Sequence, residues 1–339
     1  MKVIALFFIL VCSVAMDCFA QTPVWSQFSS SPDATTRHDD ICFVSRTHGW
    51  SARGRDGIYR TTDGGNTWTK VLTNNATHFR SIGFVSETVG FAGNLGPGSY
   101  DTFVTDTNLL YRTDDGGNSW SVVPGLNETG MKGFCAIQVL DSQHIFAGGR
   151  VRGPAHFTKS TDGGDTWTVV DLTEMGVMGG IMDVYFKDPL NGFVIGMDTN
   201  NFVTGCGGIY FGRIARTTDG GATWTPVVTT SIPCSYFWKM SWPTPNVGYV
   251  SLQQNGTANR IIVYKTTDGG DTWTSIEAPY SEIGVQNFLA QGIGFISETE
   301  GWLGGANATS PYANNFLHTT NGGVSWNRVG YNDSRSINK

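Results

Sequence analysis

Thr62-Asp63-Gly64-Gly65-Asn66-Thr67-Trp68 decides the fold, because the chain writes this stretch six times. The further copies carry Asp115 with Trp120, Asp162 with Trp167, Asp219 with Trp224 and Asp268 with Trp273. The last, Thr320-Asn321-Gly322-Gly323-Val324-Ser325-Trp326, has Asn in place of Asp. The Trp-to-Trp steps are 52, 47, 57, 49 and 53 residues. A period near fifty marks a repeat architecture.

Each copy lies between β-type runs, as Ile58-Tyr59-Arg60-Thr61 and Trp68-Thr69-Lys70-Val71 flank the first. Asp-Gly-Gly there reads as a hairpin turn, since glycine takes positive φ without steric cost. The Asp carboxylate accepts loop N–H groups and locks the turn, and Asn321 offers a side-chain oxygen for the same role. The Trp opens the next strand and buries a large apolar face. These residues are therefore read as structural. A Ca²⁺ loop needs more oxygen ligands than the motif offers, so no metal and no cofactor are expected.

The pattern T/S-x-D-G-G-x-T/S-W resembles the Asp-box, or BNR repeat, over about residues 40–329. Asp-boxes occur in sialidases, sortilin, xyloglucanase-type glycoside hydrolases and the photosystem II stability/assembly factor-like family. The double-Gly form, coupled to a preceding hydrophobic-Gly-Trp/Phe hairpin, looks most like the last family. The resemblance implies a β-propeller and, from that family, a chaperone-like role.

A second hairpin precedes most boxes by 20 to 30 residues, as in Ile41-Cys42-Phe43-Val44 leading to Gly49-Trp50. Ile82-Gly83-Phe84 with Gly90-Phe91, and Ile293-Gly294-Phe295 with Gly301-Trp302, are close copies. Each unit thus reads as four strands, A to D, with the box at the C–D turn. Radial repetition of such sheets is an all-β propeller. Six blades are expected; a seventh would require a hidden degenerate unit. Trp25-Ser26-Gln27-Phe28 resembles an extra D strand that helps close the ring.

Residues 1–20 read as a secretory signal: Met1-Lys2, an apolar run too short to span a bilayer, and Cys18-Phe19-Ala20 before Gln21. Residues 21–339 are then one exported propeller domain, expected to be extracellular, periplasmic or lumenal and monomeric, with no membrane span. A net charge of −6 argues against nucleic acid as a partner. Cys206 and Cys234 flank the fourth box and are the pair expected to bridge. Cys42 and Cys135 are read as buried thiols.

Strand alternation puts the A–B and C–D turns on one rim and the long, irregular loops on the other. Variable loops on a rigid scaffold usually carry function. That face offers Tyr100, Phe103, Phe202, Tyr236, Trp238, Tyr280 and Tyr312 as solvent-facing aromatics for a sugar or protein partner. Arg80, Lys132 and Lys239 stand at the mouth of the central channel. Two functions follow. One is a non-catalytic scaffold or binding propeller for a protein or carbohydrate ligand. The other is a glycoside hydrolase, which needs two carboxylates roughly 5–10 Å apart; Asp183 with Asp39 or Asp40 are the candidates. No Arg-Ile-Pro segment of the sialidase kind is present, Arg213-Ile214-Ala215 being the nearest. Xyloglucanases of this type pair two propellers, whereas this chain holds one.

Overall fold

The computed structural model describes residues 38–198, 210–255, 260–283, 285, 288–307 and 316–329. Blade one holds β1 (Asp40–Phe43), β2 (Gly49–Ala52), β3 (Ile58–Thr61) and β4 (Thr69–Leu72). Blade two holds β5 (Phe79–Phe84), β6 (Gly90–Asn94), β7 (Leu110–Thr113) and β8 (Ser121–Val122). In blade three come β9 (Ala136–Val139), β10 (Ile145–Gly149), β11 (His156–Ser160) and β12 (Thr168–Asp171). Blade four has β13 (Gly180–Phe186), β14 (Gly192–Met197), β15 (Phe211–Thr217) and β16 (Thr225–Pro233). Blade five has β17 (Ser235–Ser241), β18 (Gly248–Gln254), β19 (Arg260–Thr266) and β20 (Thr274–Pro279). Blade six has β21 (Phe288–Phe295), β22 (Gly301–Asn307), β23 (Phe316–Thr319) and β24 (Asn327–Arg328). Each blade is one four-stranded antiparallel sheet in sequence order, so the described residues form the six blades the sequence predicts. The first strands of consecutive blades pack on one another around the centre. Among the described residues no helix is long and apolar enough to cross a membrane. The signal segment, Trp25–Phe28 and Cys206 lie outside the described residues.

The turn chemistry repeats atom for atom. In the five Asp copies the hydroxyl four residues on donates to the carboxylate at 2.6 Å, and its N–H donates at 2.8 to 2.9 Å. The Thr or Ser two residues before the Asp donates its own hydroxyl to the carboxylate and accepts the second Gly N–H. In the sixth copy the bond to the hydroxyl four residues on reverses: Asn321 Nδ2 donates to Ser325 Oγ at 2.8 Å. The first Gly N–H of every copy donates to the A–B turn of its own blade at 2.7 to 3.0 Å. This bond holds both turns on one rim.

Blades lock through glycine and aromatic pairs. Trp50 of β2 stacks at 3.6 Å on Phe84 of β5, and Tyr249 of β18 at 3.6 Å on Phe295 of β21. The glycine opposite each first-strand ring must lack a side chain: a Cβ on Gly90 would lie 2.4 Å from Phe84, and one on Gly301 would lie 2.5 Å from Phe295. Blade three lacks this pair, with Val139 and Ile145 facing each other instead. Basic residues of third strands clamp the next blade's turn. Arg60 Nη1 donates to Gly116 O at 3.1 Å, Arg112 Nη1 to Asp165 Oδ1 at 2.7 Å and Lys159 Nζ to Gly220 O at 2.7 Å.

Hydrogen bonds from the Ser119, Thr166 and Thr223 hydroxyls hold Asp115, Asp162 and Asp219 down to about 2, against an ordinary 3.8. A carboxyl depressed on folding contributes stability that is complete above the unfolded value and fades as pH falls through the folded one. The turns are therefore expected to persist from neutral pH to about pH 4 and to loosen toward pH 2. Carboxyl-carbon NMR titration should give midpoints for these three groups near 2; midpoints near 3.8 would show the turn bonds absent in solution.

Candidate functional site

The long-loop rim receives the starts of all six first strands. Register shifts interrupt four of them at one level: between Phe79 and Ser81, Ile181 and Asp183, Phe237 and Met240, and Ala290 and Gly292. Arg80, Met182, Trp238, Lys239 and Gln291 are the residues these bulges leave outside the ladder, and bulges re-aim side chains. Arg80 of blade two reaches Trp238 of blade five, its guanidinium carbon 5.3 Å from the ring centroid. Leu95, Cys135, Val151, Met182, Met197, Tyr210 and Tyr236 join Trp238 in one buried cluster. The channel mouth is thus floored by packed side chains.

The sequence sets Arg80 and Lys239 at the channel mouth and Tyr236, Trp238 and Tyr280 among the solvent-facing aromatics; the structure buries all five. They are 2%, 4%, 7%, 4% and 6% exposed. The bulges and the returning loops bury them. Tyr280 donates its hydroxyl to Phe288 O at 2.6 Å, and burial pushes its pKa up to about 12. Tyr236 accepts from Gln253 Nε2 at 2.6 Å. Lys132 and Phe103 are exposed, and Tyr100 is half-buried beside His78. Phe202 and Tyr312 lie outside the described residues, as does Cys206, the expected partner of the half-buried Cys234.

The three candidate catalytic carboxylates are all engaged. Asp39, wholly buried, meets Arg80 Nη1 at 2.6 Å and His78 Nε2 at 2.8 Å. Asp40 accepts the Ile82 N–H of the next blade at 2.9 Å and the Ile41 N–H at 3.0 Å. Asp183 accepts the Met240 N–H at 3.0 Å and pairs with Lys239 Nζ at 3.3 Å. Asp40 and Asp183 therefore latch one blade's first strand to the next. Gln138, which receives the Phe186 N–H and donates to Phe186 O, does the same between blades three and four.

His78, Asp101 and Arg150 carried no motif in the sequence. His78 Nδ1 lies 2.8 Å from Asp101 Oδ2, so the ring ties blade one to the β6–β7 loop. Burial raises the Asp101 pKa, but hydrogen bonds from His78 and the Phe103 N–H outweigh it and leave the group below its ordinary value. Arg150 is buried and pairs with no carboxylate among the described residues; its guanidinium donates to Pro97 O at 2.6 Å and to Gly153 O at 2.9 Å. Burial lowers its pKa. Among the described residues no group of three or more His, Cys, Asp or Glu is arranged to hold a metal ion.

No family model matches the chain, and no curated protein sequence matches it. Solved structures do. YCF48 bound to D1 peptide aligns with a TM-score of 0.59 at 16% identity, covering 89% of this chain and 84% of that one. YCF48 from Cyanidioschyzon merolae gives 0.59 at 15%, covering 88% and 87%. The GH74 xyloglucanase from Xanthomonas campestris gives 0.62 at 15%, covering 87% of this chain and 45% of the enzyme. The chain spans less than half of that enzyme's length. What it shares with these proteins is the fold, a β-propeller.

Proposed function

We propose that the chain is an exported, non-catalytic Asp-box propeller that binds a peptide segment of a protein partner on its long-loop face. One observation carries this reading: the acids best placed for catalysis are all committed to holding blades together. Asp39 neutralises the buried Arg80, while Asp40 and Asp183 accept main-chain N–H groups of the neighbouring blade. Glycoside hydrolysis needs one carboxylic acid ready to protonate the leaving oxygen and a second to act as base or nucleophile. The likeness to a propeller solved with a bound peptide supports a peptide ligand. The likeness to a xyloglucanase keeps hydrolysis as the alternative.

The test screens the purified chain from Gln21 on a peptide array and a glycan array, with a reducing-sugar release assay in parallel. Binding to peptides without sugar release is expected. Sugar release abolished by Asp183→Asn would replace this reading with a glycosidase. Glycan binding without turnover would make the protein lectin-like.

A further inference from the structure

The loop joining β6 to β7 carries more hydrogen-bonded structure than a connection needs. Asn94, fully buried, accepts the His78 and Gly96 N–H groups and donates to Asp106 O and Asn108 O at 2.9 Å. The Asp106 carboxylate accepts from Asn108 N, Asn74 Nδ2, Thr77 Oγ1 and Tyr111 Oη. Arg150 fixes the 95–98 carbonyls, and Asp101 accepts the Phe103 N–H at 3.2 Å. Long loops that build their own skeleton are usually functional.

What this skeleton presents is Phe103, 68% exposed. A single exposed aromatic is ordinary; one on a loop fixed at this many points is pre-organised. The Arg55 guanidinium lies 4.6 Å over one face of its ring, and Arg55 Nε pairs with Asp101 at 3.2 Å. Among the described residues the two terminal nitrogens of Arg55 meet no hydrogen-bond partner. The other ring face opens to solvent. Of the loop's own acids, Asp101 pairs with Arg55 and His78, and Asp106 is held by neutral donors within and beside the loop. The cation that the structure sets at Phe103 is therefore Arg55.

We infer that Phe103 and Arg55 form a docking point for a peptide in which an apolar side chain stands beside a carboxylate. The apolar group covers the open face of Phe103, and the carboxylate takes the terminal nitrogens of Arg55, a fork suited to carboxylates. A rigid aromatic loses little entropy on binding, so it makes an efficient anchor. This inference rests on the peptide-binding reading above.

Fluorescence anisotropy with a labelled peptide of repeated Glu-Phe-Glu-Leu tests it, beside versions with Lys for Glu and with Ser for Phe and Leu. The acidic, apolar peptide is expected to bind at least about tenfold tighter than either. Phe103→Ala is expected to weaken it by at least about tenfold, the scale of an interface anchor. Arg55→Gln should weaken it and flatten its salt dependence. Leu190→Ala, at another exposed apolar residue, on the opposite rim, should change nothing. Unfolding midpoints of all three variants should match the parent. If array peptides bind and Phe103→Ala leaves their affinity unchanged, this inference fails while the peptide-binding reading stands. Equal affinity for the Lys version, or no affinity for the Glu-Phe-Glu-Leu probe, removes the acidic, apolar ligand class. If no peptide on the array binds, the reading beneath it fails.

Discussion

Gly221→Ala is expected to destabilise the protein by about 3 kcal/mol, the sum of a left-handed backbone cost and overpacking. Gly221 sits at φ +85°, and a Cβ there would lie 2.2 Å from Phe157 of the preceding blade. Phe157 cannot retreat, because Phe186 and Trp224 hold it at ring-centroid distances of 5.6 and 5.0 Å. For a chain of this size that loss is roughly a 5 °C fall in unfolding midpoint. Gly176→Ala separates the two costs. Gly176 has φ +70°, yet nothing lies within 4 Å of its Cβ position. It should lose only about 1 kcal/mol from backbone strain. Adding Phe157→Leu to Gly221→Ala should relieve the clash, so the pair is less destabilising than the sum of its parts. Equal losses at Gly221 and Gly176 would remove the interlock argument.

This expectation shows what kind of information the sequence carried. The turn copies and the glycine-aromatic hairpins were legible because their chemistry is local. Asp115 needs its bonding partners at Ser119 and Thr113, all within one heptapeptide and its preceding residue. Rim assignment followed from strand alternation alone. The site residues were harder, because their surroundings form only when the ring closes. Nothing near Arg80 in the chain announces that it reaches Trp238 three blades away, and the bulges that aim it leave no sequence mark. Asp183 looked like a catalytic acid because its position at a channel mouth was visible and its Met240 N–H partner, 57 residues on, was not. His78 had no motif at all. Its meaning comes from Asp39 and Asp101, which lie 39 residues before it and 23 residues after it.

Asp39→Ala should cost more than any other single change at the channel mouth, about 3 to 5 kcal/mol, because it leaves a buried charge without its counter-ion. Arg80 is 2% exposed, and Asp39 Oδ1 at 2.6 Å is its closest carboxylate contact. The change also takes one of the two carboxylates from His78, whose other ring nitrogen anchors the Phe103 loop through Asp101. Arg80→Met added to Asp39→Ala removes the stranded cation and keeps apolar volume against Trp238. The double variant should therefore recover part of the loss, and a denaturant-unfolding cycle should report a coupling of at least about 1 kcal/mol. Asp39→Asn supplies the functional contrast. It keeps the side chain's shape but offers a neutral oxygen to one of its two partners and an amide to the other. Under a structural role it lowers stability and loosens the loop, so peptide affinity and unfolding midpoint fall together. Under a catalytic role it would abolish turnover with the midpoint near that of the parent. An Asp39→Ala variant as stable as the parent would mean the Arg80 charge finds another partner, and the buried pair would no longer account for how blades one and two are joined at this end.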